Sequence, residues 1–285
     1  MPRTPIGTRS RTRTLPRELE FDWKVAVDEI TLSIKEHFKK SDTVTAIVGL
    51  SGGVDSSVSA TLAKWALGKR NVFALILPEK GVTPKEDIED ALEMTKLLGL
   101  KYELIEIEKG VSSISNLVPE LVRKSSGKLK NPIAYANTKA RIRMTILYAY
   151  ANMAGNAQVI GTGDKSEALL GYCTKYGDHG VDFLPIGDLY KSQVRFLSDK
   201  LGLPERIASK EPSPRLLKGQ RAEEDLGVNY EVIDRMLYYS IEKRHSEKKI
   251  AQKLNIPLKV IQNLNAMVRG SLHKREATPI TKLSV

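Results

Sequence analysis

The chain has 285 residues, of which 41% are hydrophobic, and its 45 Lys and Arg residues outnumber 34 Asp and Glu for a formal net charge of +11. This length suffices for one large domain, or two small ones, with a substantial core. The single cysteine, Cys173, excludes an internal disulfide framework and any zinc site that needs two thiolates. The sequence contains no run of about 20 apolar residues, so we expect no membrane span, no secretory signal and a cytoplasmic location.

The basic residues are concentrated at the two ends of the chain. Residues 1–17 contain five arginines and no acidic residue, and residues 267–285 contain four Lys or Arg against one Glu. The remainder is close to neutral, so the composition does not indicate a basic face, and nucleic acid is not expected as a partner. Residues 1–20 are predicted to form a disordered basic arm, followed by a single domain over residues 21–285.

Helical spacing of apolar residues predicts a first helix over residues 21–38. Four short apolar runs then predict strands, and three longer segments between them have the periodicity of helices. The strands are expected at 44–50, 72–77, 102–107 and 157–161, and the helices at 54–67, 84–98 and 132–154. This alternation is typical of a parallel sheet that is covered by helices on both faces.

The chain becomes irregular after the fourth strand. Residues 161–229 are rich in Gly, Pro and charged residues, which is typical of functional loops in α/β proteins. Helices are predicted again over about 229–273, and apolar residues on either side of Pro257 imitate a helix-turn-helix. A pair of helices that caps the sheet explains the same pattern, so a DNA-reading regulator is kept as a rival hypothesis.

A glycine-rich loop directly follows the first predicted strand, at the sheet edge where open parallel sheets bind ligands. It consists of Gly49, Leu50, Ser51, Gly52, Gly53, Val54, Asp55 and Ser56. Its glycines, amides and hydroxyls suit a phosphate group, and an acid stands where a Walker A loop has lysine. Because a carboxylate repels a polyphosphate unless a divalent cation lies between them, Asp55 indicates Mg²⁺.

Two other interpretations of this loop are possible. Asp55 could simply favour the dipole of the following helix while the glycines form a turn. The segment also satisfies the G-x-S-x-G pattern of an esterase elbow, with Ser51 as the nucleophile. The elbow is disfavoured because its oxyanion loop comes from an earlier strand of the sheet, whereas Ser51 follows the first strand.

A second glycine-containing turn, residues 161–166, follows the fourth predicted strand. Its position at the same sheet edge places Thr162 and, one helical turn later, Glu167 near the contents of the first loop. Asp55 and Glu167 are therefore predicted to share one Mg²⁺, although an exposed glutamate on a helix is ordinarily only solvated.

At this point several separated motifs resemble those of the ammonia-dependent NAD⁺ synthetases, which are N-type ATP pyrophosphatases. They are GLSGGVDSS at 49–57, NTKARIRM at 137–144, GTGDKSEALLGYCTKYGD at 161–178, PIGDLYKSQV around Lys191, KEPSPRL around Ser213, DLGVNYEVID around Tyr230 and HKR at 273–275. The resemblance implies a Rossmann-like, doubly wound and mostly parallel five-stranded sheet of the adenine nucleotide α-hydrolase type, with a C-terminal helical extension. It also implies a homodimer.

The activity implied by this resemblance is a two-step amidation. The carboxylate of deamido-NAD⁺ attacks the α-phosphorus of ATP, pyrophosphate leaves, and ammonia then displaces AMP to give NAD⁺. Carried over residue by residue, residues 49–56, Thr162, Lys191 and Ser213 contact ATP, with Lys191 near the α-phosphate. Asp55 and Glu167 bind Mg²⁺. The residues implied for deamido-NAD⁺ are Arg141, Lys175, Asp182, His273 and Lys274, and Asp178 is implied in orienting ammonia.

Free ammonia is the expected nitrogen donor, because a glutamine-dependent enzyme needs a further glutaminase domain with a nucleophilic cysteine, and Cys173 lies inside the synthetase motif. The rival within enzymes is another ATP pyrophosphatase that adenylates a different carboxylate or a tRNA base.

Overall fold

The computed structural model describes residues 13–283. Its main sheet has four parallel strands in the order β3-β2-β1-β6. The strands are β1 (Thr45–Gly49), β2 (Val72–Ile76), β3 (Lys101–Leu104) and β6 (Ala157–Ile160), and β4 (Lys124–Ser125) and β5 (Lys128–Leu129) form a separate antiparallel pair. The expected fifth strand of the main sheet is reduced to one parallel bridge between Ile160 and Phe183.

Thirteen α-helices occur among the described residues. They are α1 (Trp23–Lys40), α2 (Val54–Leu67), α3 (Lys85–Leu98), α4 (Glu108–Leu117), α5 (Pro132–Ala154), α6 (Lys165–Leu170), α7 (Lys191–Leu201), α8 (Glu205–Ala208), α9 (Ala222–Leu226), α10 (Tyr230–Leu237), α11 (Glu247–Leu254), α12 (Leu258–Gly270) and α13 (Leu272–Arg275). Residues 17–19, 69–71 and 119–121 are short 3₁₀ turns, and α10 continues as a π-helical turn over Tyr238–Glu242. None of the described helices is long and apolar enough to cross a membrane.

The alternation of β1 side chains divides the core into two layers. Ala46 and Val48 face α1, α2 and α7, whereas Ile47 faces the opposite side, where α5 packs. Because both faces of the sheet are covered, the strands are apolar throughout their buried centres. The prediction of a mostly parallel sheet with helices on both faces is confirmed.

Residues 161–229 contain more regular structure than their sequence indicates. The helices α6 to α9 all lie in this interval, and α7 extends over eleven residues. In α7 the buried residues Val194, Leu197 and Leu201 follow helical spacing, but this stripe extends over only two turns.

The C-terminal helices form a third apolar cluster beside the sheet. Ile250 of α11 and Ile261 of α12 are fully buried in this cluster, together with Leu170 of α6. The helix-turn-helix pattern thus provides the apolar faces that close this cluster. Asn255 at the turn takes a left-handed conformation with φ of 53°.

The prediction of a disordered arm over residues 1–20 is wrong for residues 13–20. Leu19 is buried in the C-terminal cluster, and Glu18 accepts hydrogen bonds from Arg235 and Tyr239. Arg13 forms an ion pair with Asp199. The arginine-rich composition of this segment gave no sign that Leu19 is buried or that these long-range pairs form. Residues 1–12 lie outside the described residues.

We expect Leu19→Ala to lower the free energy of unfolding by about 2–5 kcal/mol, because it removes a buried side chain from a packed cluster. Equilibrium unfolding in urea measures this change. The control is Leu32→Ala in α1, where the leucine is 55% exposed and little should change. Equal effects of the two substitutions would contradict the docking of residues 13–20.

Candidate active site

The candidate site lies where the sheet reverses its winding. The chain runs outward from β1 to β3 and then returns to place β6 on the other side of β1, so the loops after β1 and β6 separate at their carboxyl ends. Open α/β sheets bind ligands at such a position. A cavity of 660 Å³ occupies it, lined by both loops and by residues of α5 and of the segment 210–217. This volume is within the usual range for small-molecule sites.

The predicted phosphate loop has the expected strand-loop-helix geometry. Gly53 is the N-cap of α2 and gives no side-chain cap, so the first amides of that helix remain available to an anion. The Ser51 and Ser56 hydroxyls lie 3.0 Å apart, and Ser56 also donates to the Gly53 carbonyl. Gly52 has φ of +76°, and a Cβ there would overlap the Asp87 backbone oxygen. Only glycine fits this close approach.

Three carboxylates converge on one buried ammonium group beside this loop. The Lys191 Nζ lies 2.7 Å from Asp55, 2.6 Å from Asp164 and 2.8 Å from Glu167. Lys191 and Asp164 are fully buried, whereas Asp55 and Glu167 retain 23% exposure of their side chains. The loops after β1 and β6 are thus joined through α7, of which Lys191 is the first residue.

The electrostatics of this cluster follow from its burial. Burial and the charge of Asp164 raise the pKa of Glu167 to about 8, against the opposing influence of Lys191. Burial also raises the pKa of Asp164, although Lys191 opposes it. Burial alone would lower the pKa of Lys191, but the neighbouring carboxylates outweigh it and raise that pKa well above its usual value.

A second set of ion pairs fixes the segment that closes the cavity. Lys210 donates to the Gly52 carbonyl at 2.8 Å and to Asp87 at 2.8 Å, and it also pairs with Asp90. Arg215 donates to the other oxygen of Asp87 at 2.7 Å. The buried Asp87, at the start of α3, therefore ties the phosphate loop to the segment 210–217.

The other residues implied for ATP differ in how they meet the cavity. Thr162 and Ser213 line it together with most of the phosphate loop. The Ser213 hydroxyl already donates to the Gln220 carbonyl and accepts from the Arg215 amide. Lys191 does not line the cavity, because its ammonium points into the carboxylate cluster.

The residues implied for deamido-NAD⁺ are divided between the cavity and the outer surface. Arg141 donates to the Lys175 carbonyl at 3.3 Å, and neither residue lines the cavity. Asp182, which is exposed, accepts from Tyr148 at 2.9 Å and from the Val159 amide at 2.8 Å. These three residues lie outside the cavity wall.

The remaining predicted residues are close to the cavity end formed by the TKYGD motif. Lys274 lines the cavity and donates to the carbonyls of Gly171 and Cys173 at 2.6 and 2.8 Å, whereas His273 is exposed. Asp178 also lines it and accepts from the Thr174 amide at 2.8 Å. Although part of Asp178 is exposed, the surrounding protein atoms raise the pKa of its carboxyl group.

Comparisons with known proteins point to NAD synthases. A family model described as NAD synthase matches residues 26–278. The chain belongs to the NAD synthase family. It is 46% identical over 270 residues to an NH(3)-dependent NAD(+) synthetase of Saccharolobus solfataricus, covering 94% of this chain and 92% of that protein.

Two solved structures share the fold over nearly the whole chain. An NH3-dependent NAD synthetase from Campylobacter jejuni has a TM-score of 0.74 and 31% identity, covering 92% of this chain and all of that one. An NMN synthetase from Francisella tularensis has a TM-score of 0.78 and 29% identity, covering 93% of this chain and all of that one.

Sequence reasoning missed several residues of the candidate site in this member of the NAD synthase family. Asp164 caps α6 and forms a capping box with Glu167, a signal that the spacing D-x-x-E contains. Arg143, which lines the cavity and donates to the Leu77 carbonyl at 3.0 Å, has no such signal. Lys210 and Asp87 are far apart in the sequence, so only the fold could reveal their pairing.

We expect Gly52→Ala to weaken ATP binding and to destabilise the protein, because the added Cβ forces the phosphate loop away from α3. Gly155→Ala is the control: it has the same φ of +76°, nothing lies within 4 Å of the added Cβ, and it precedes the opposite end of β6. The control should lose only about 1–2 kcal/mol of unfolding free energy through left-handed strain. Urea unfolding and calorimetric ATP titration test this; indistinguishable variants would contradict it.

Proposed function

We propose that this chain is a C–N ligase that converts deamido-NAD⁺ to NAD⁺ with ATP and ammonia, through an adenylated intermediate and release of AMP and pyrophosphate. The observation that carries this proposal is the position of the cluster of Asp55, Asp164 and Glu167 directly beside the phosphate loop. A carboxylate is a poor acyl donor, and adenylation converts its oxygen into part of a good leaving group.

The carboxylate cluster fits one Mg²⁺ ion. Oxygen atoms of Asp55, Asp164 and Glu167 lie within 4.8 Å of one another, and the buried Asp55 Oδ1 has no hydrogen-bond partner. Once Glu167 has lost its proton, three ionised carboxylates beside the Lys191 ammonium leave a net charge that one divalent cation balances. Carboxylate oxygens are ligands that Mg²⁺ prefers. Asp55 and Glu167 would hold this ion, which would supply positive charge to offset that of the pyrophosphate leaving group.

The chain's own groups supply the rest of the phosphate site. The backbone amides at the start of α2 and the Ser51 hydroxyl bind the β- and γ-phosphates, and they are arranged before the nucleotide arrives. Thr162 and Ser213, which both line the cavity, contact ATP. Lys191 acts toward the α-phosphate from behind Asp55, as a buried positive charge that makes the electrostatic potential facing the anion less negative.

Deamido-NAD⁺ is assigned to the side of the cavity near the TKYGD motif, where Lys274 lines the wall. Arg141, Lys175, Asp182 and His273 lie outside that wall on the described surface. A dinucleotide that reaches from the cavity to these residues must cross the surface of the subunit. We therefore propose that deamido-NAD⁺ binds near the boundary of a homodimer in the cytoplasm.

Ammonia is assigned to the region of Asp178, at the same end of the cavity. An ammonium ion must lose a proton before it attacks the adenylate. A carboxyl group with a raised pKa can accept that proton and can hold the ion by charge, so Asp178 suits this role.

We expect the purified protein to form NAD⁺, AMP and pyrophosphate from ATP, Mg²⁺, deamido-NAD⁺ and ammonium. Glutamine in place of ammonium should give little product. Nicotinate mononucleotide is tested as an alternative to deamido-NAD⁺, because one structural neighbour is an NMN synthetase. Chromatography of the nucleotides measures all products. Equal turnover with glutamine, or product from the mononucleotide alone, would contradict the substrates that we assign.

In the same assay, Asp55→Ala should reduce kcat by roughly 10²–10³-fold, since it removes a group that holds charge at the reacting phosphate. The matched control is Glu89→Gln, which changes an exposed acid on α3 away from the cavity. Unchanged activity in Asp55→Ala would remove the argument for the metal.

We expect the affinity of the metal-free protein for Mg²⁺ to rise with pH until about pH 8. Glu167, whose pKa is raised to about 8, is largely protonated at neutral pH and must lose its proton when it becomes a ligand. Below its pKa the affinity should increase by up to about tenfold per pH unit and then level off. Calorimetric titration in buffers of different ionisation enthalpy measures the released proton. Glu167→Gln should abolish this dependence, and an affinity that falls with pH would contradict it.

A further inference from the structure

Asp234 of α10 is a fully buried carboxylate outside the cavity wall. It belongs to the DLGVNYEVID segment, and the proposed reaction gives it no role. Both of its oxygens are engaged. Oδ1 accepts from the Ser166 hydroxyl at 2.5 Å, and Oδ2 accepts from the Ser192 amide at 2.7 Å. Asp234 therefore contacts the second residue of α6 and the second residue of α7 at once.

The Ser166 hydroxyl extends this contact to Lys191. While it donates to Asp234, it accepts from the Lys191 amide at 3.0 Å. The first two amides of α7 are thus satisfied by Asp234, one directly and one through Ser166. Free amides at a helix start need such partners when they are buried, and a carboxylate there is also favoured by the helix dipole.

The two residues adjacent to these contacts are those of the cation cluster. Glu167 follows Ser166 in α6, and Lys191 precedes Ser192 in α7. Their side chains meet at 2.8 Å. Because Asp234 fixes the starts of both helices relative to each other, it fixes the relative positions of the Glu167 carboxylate and the Lys191 ammonium.

The helix that carries Asp234 is itself rigidly packed. Ile233, Met236 and Leu237 are fully buried in the C-terminal cluster. Tyr230, one turn earlier, is also fully buried and places its ring 5.3 Å from the Lys191 Nζ. The α10 helix therefore forms one wall of the Lys191 pocket and does not touch the cavity.

We propose that Asp234 is a positioning residue for the proposed reaction, and that it aligns Glu167 with Lys191 through Ser166 and the start of α7. This inference rests on the proposed function, because it concerns the cation and phosphate side of that site. The residues assigned to deamido-NAD⁺ lie on other segments of the chain, including α5 and α13.

The test compares native protein with Asp234→Asn, which keeps the size of the side chain but cannot accept from both Ser166 and Ser192. Mn²⁺ serves as the probe, and its dissociation constant in the presence of ATP is measured by electron paramagnetic resonance. We expect this constant to rise by about 10–100-fold, the usual effect of losing a group that orients a metal ligand. We also expect kcat to fall while KM for deamido-NAD⁺ stays within about twofold, since α5 is not displaced.

The matched control is Ile233→Val, a buried neighbour in the same helix that contributes to the apolar cluster. It should lower the melting temperature while leaving Mn²⁺ affinity and kcat unchanged. If Asp234→Asn shows the same pattern, the role of Asp234 is structural and the inference is wrong.

If Asp234→Asn does not fold, Ser166→Ala provides the same test, because it removes the connection to the Lys191 amide and leaves the Ser192 contact. When both variants fold, their effects on Mn²⁺ affinity should be non-additive, since they break one hydrogen-bonded path. If the native protein binds Mn²⁺ but forms no NAD⁺, the proposed function is wrong. The effect of Asp234→Asn on Mn²⁺ affinity still tests the role of Asp234 in that case. Absence of Mn²⁺ binding by native protein would overturn both.

Discussion

The buried ammonium group of Lys191 is the interaction on which the rest of the site depends. Asp55 follows β1, Asp164 and Glu167 follow β6, and their three carboxylates would repel one another at this separation. A charge without solvent must be paired, and removal of one partner from such a group is strongly destabilising. Lys191 therefore joins two loops that the sheet brings to one edge but does not hold together.

This arrangement is the physical basis for the proposal that one site binds a divalent cation and an anion together. Lys191 neutralises only part of the charge of the carboxylates, so the cluster still attracts a cation on the side that faces the cavity. The start of α2, which carries Asp55, presents free amides to the same space. Opposite charges thus lie next to each other, as a metal–polyphosphate complex requires.

The sequence indicated the parts of this structure that rest on local signals. The helix over residues 54–67 was predicted within its observed bounds, because glycines precede it and apolar residues repeat along it. The predicted five-stranded sheet has four strands, because pairing at Phe183 does not extend past one bridge. The resemblance places Lys191 near the α-phosphate, but it does not predict the ion pair of Lys191 with Asp164. These two residues are 27 positions apart in the sequence, and no local pattern indicates that the fold brings them together.

The apolar periodicity of the C-terminal helices imitates a helix-turn-helix, but in the structure these apolar residues pack into a buried cluster. Ile261 and Leu264 of α12 are buried against the cluster that contains Leu170 of α6. Beyond them, Arg275 donates to the carbonyls of Ala168 and Leu169 at the end of α6. Cations near a helix C-terminus satisfy its free carbonyls and its dipole. Glu167, a predicted metal ligand, lies in the first turn of α6. Arg275 therefore stabilises the C-terminal end of the same helix. Arg275, one of the basic residues near the C-terminus, is therefore engaged by a contact within the chain.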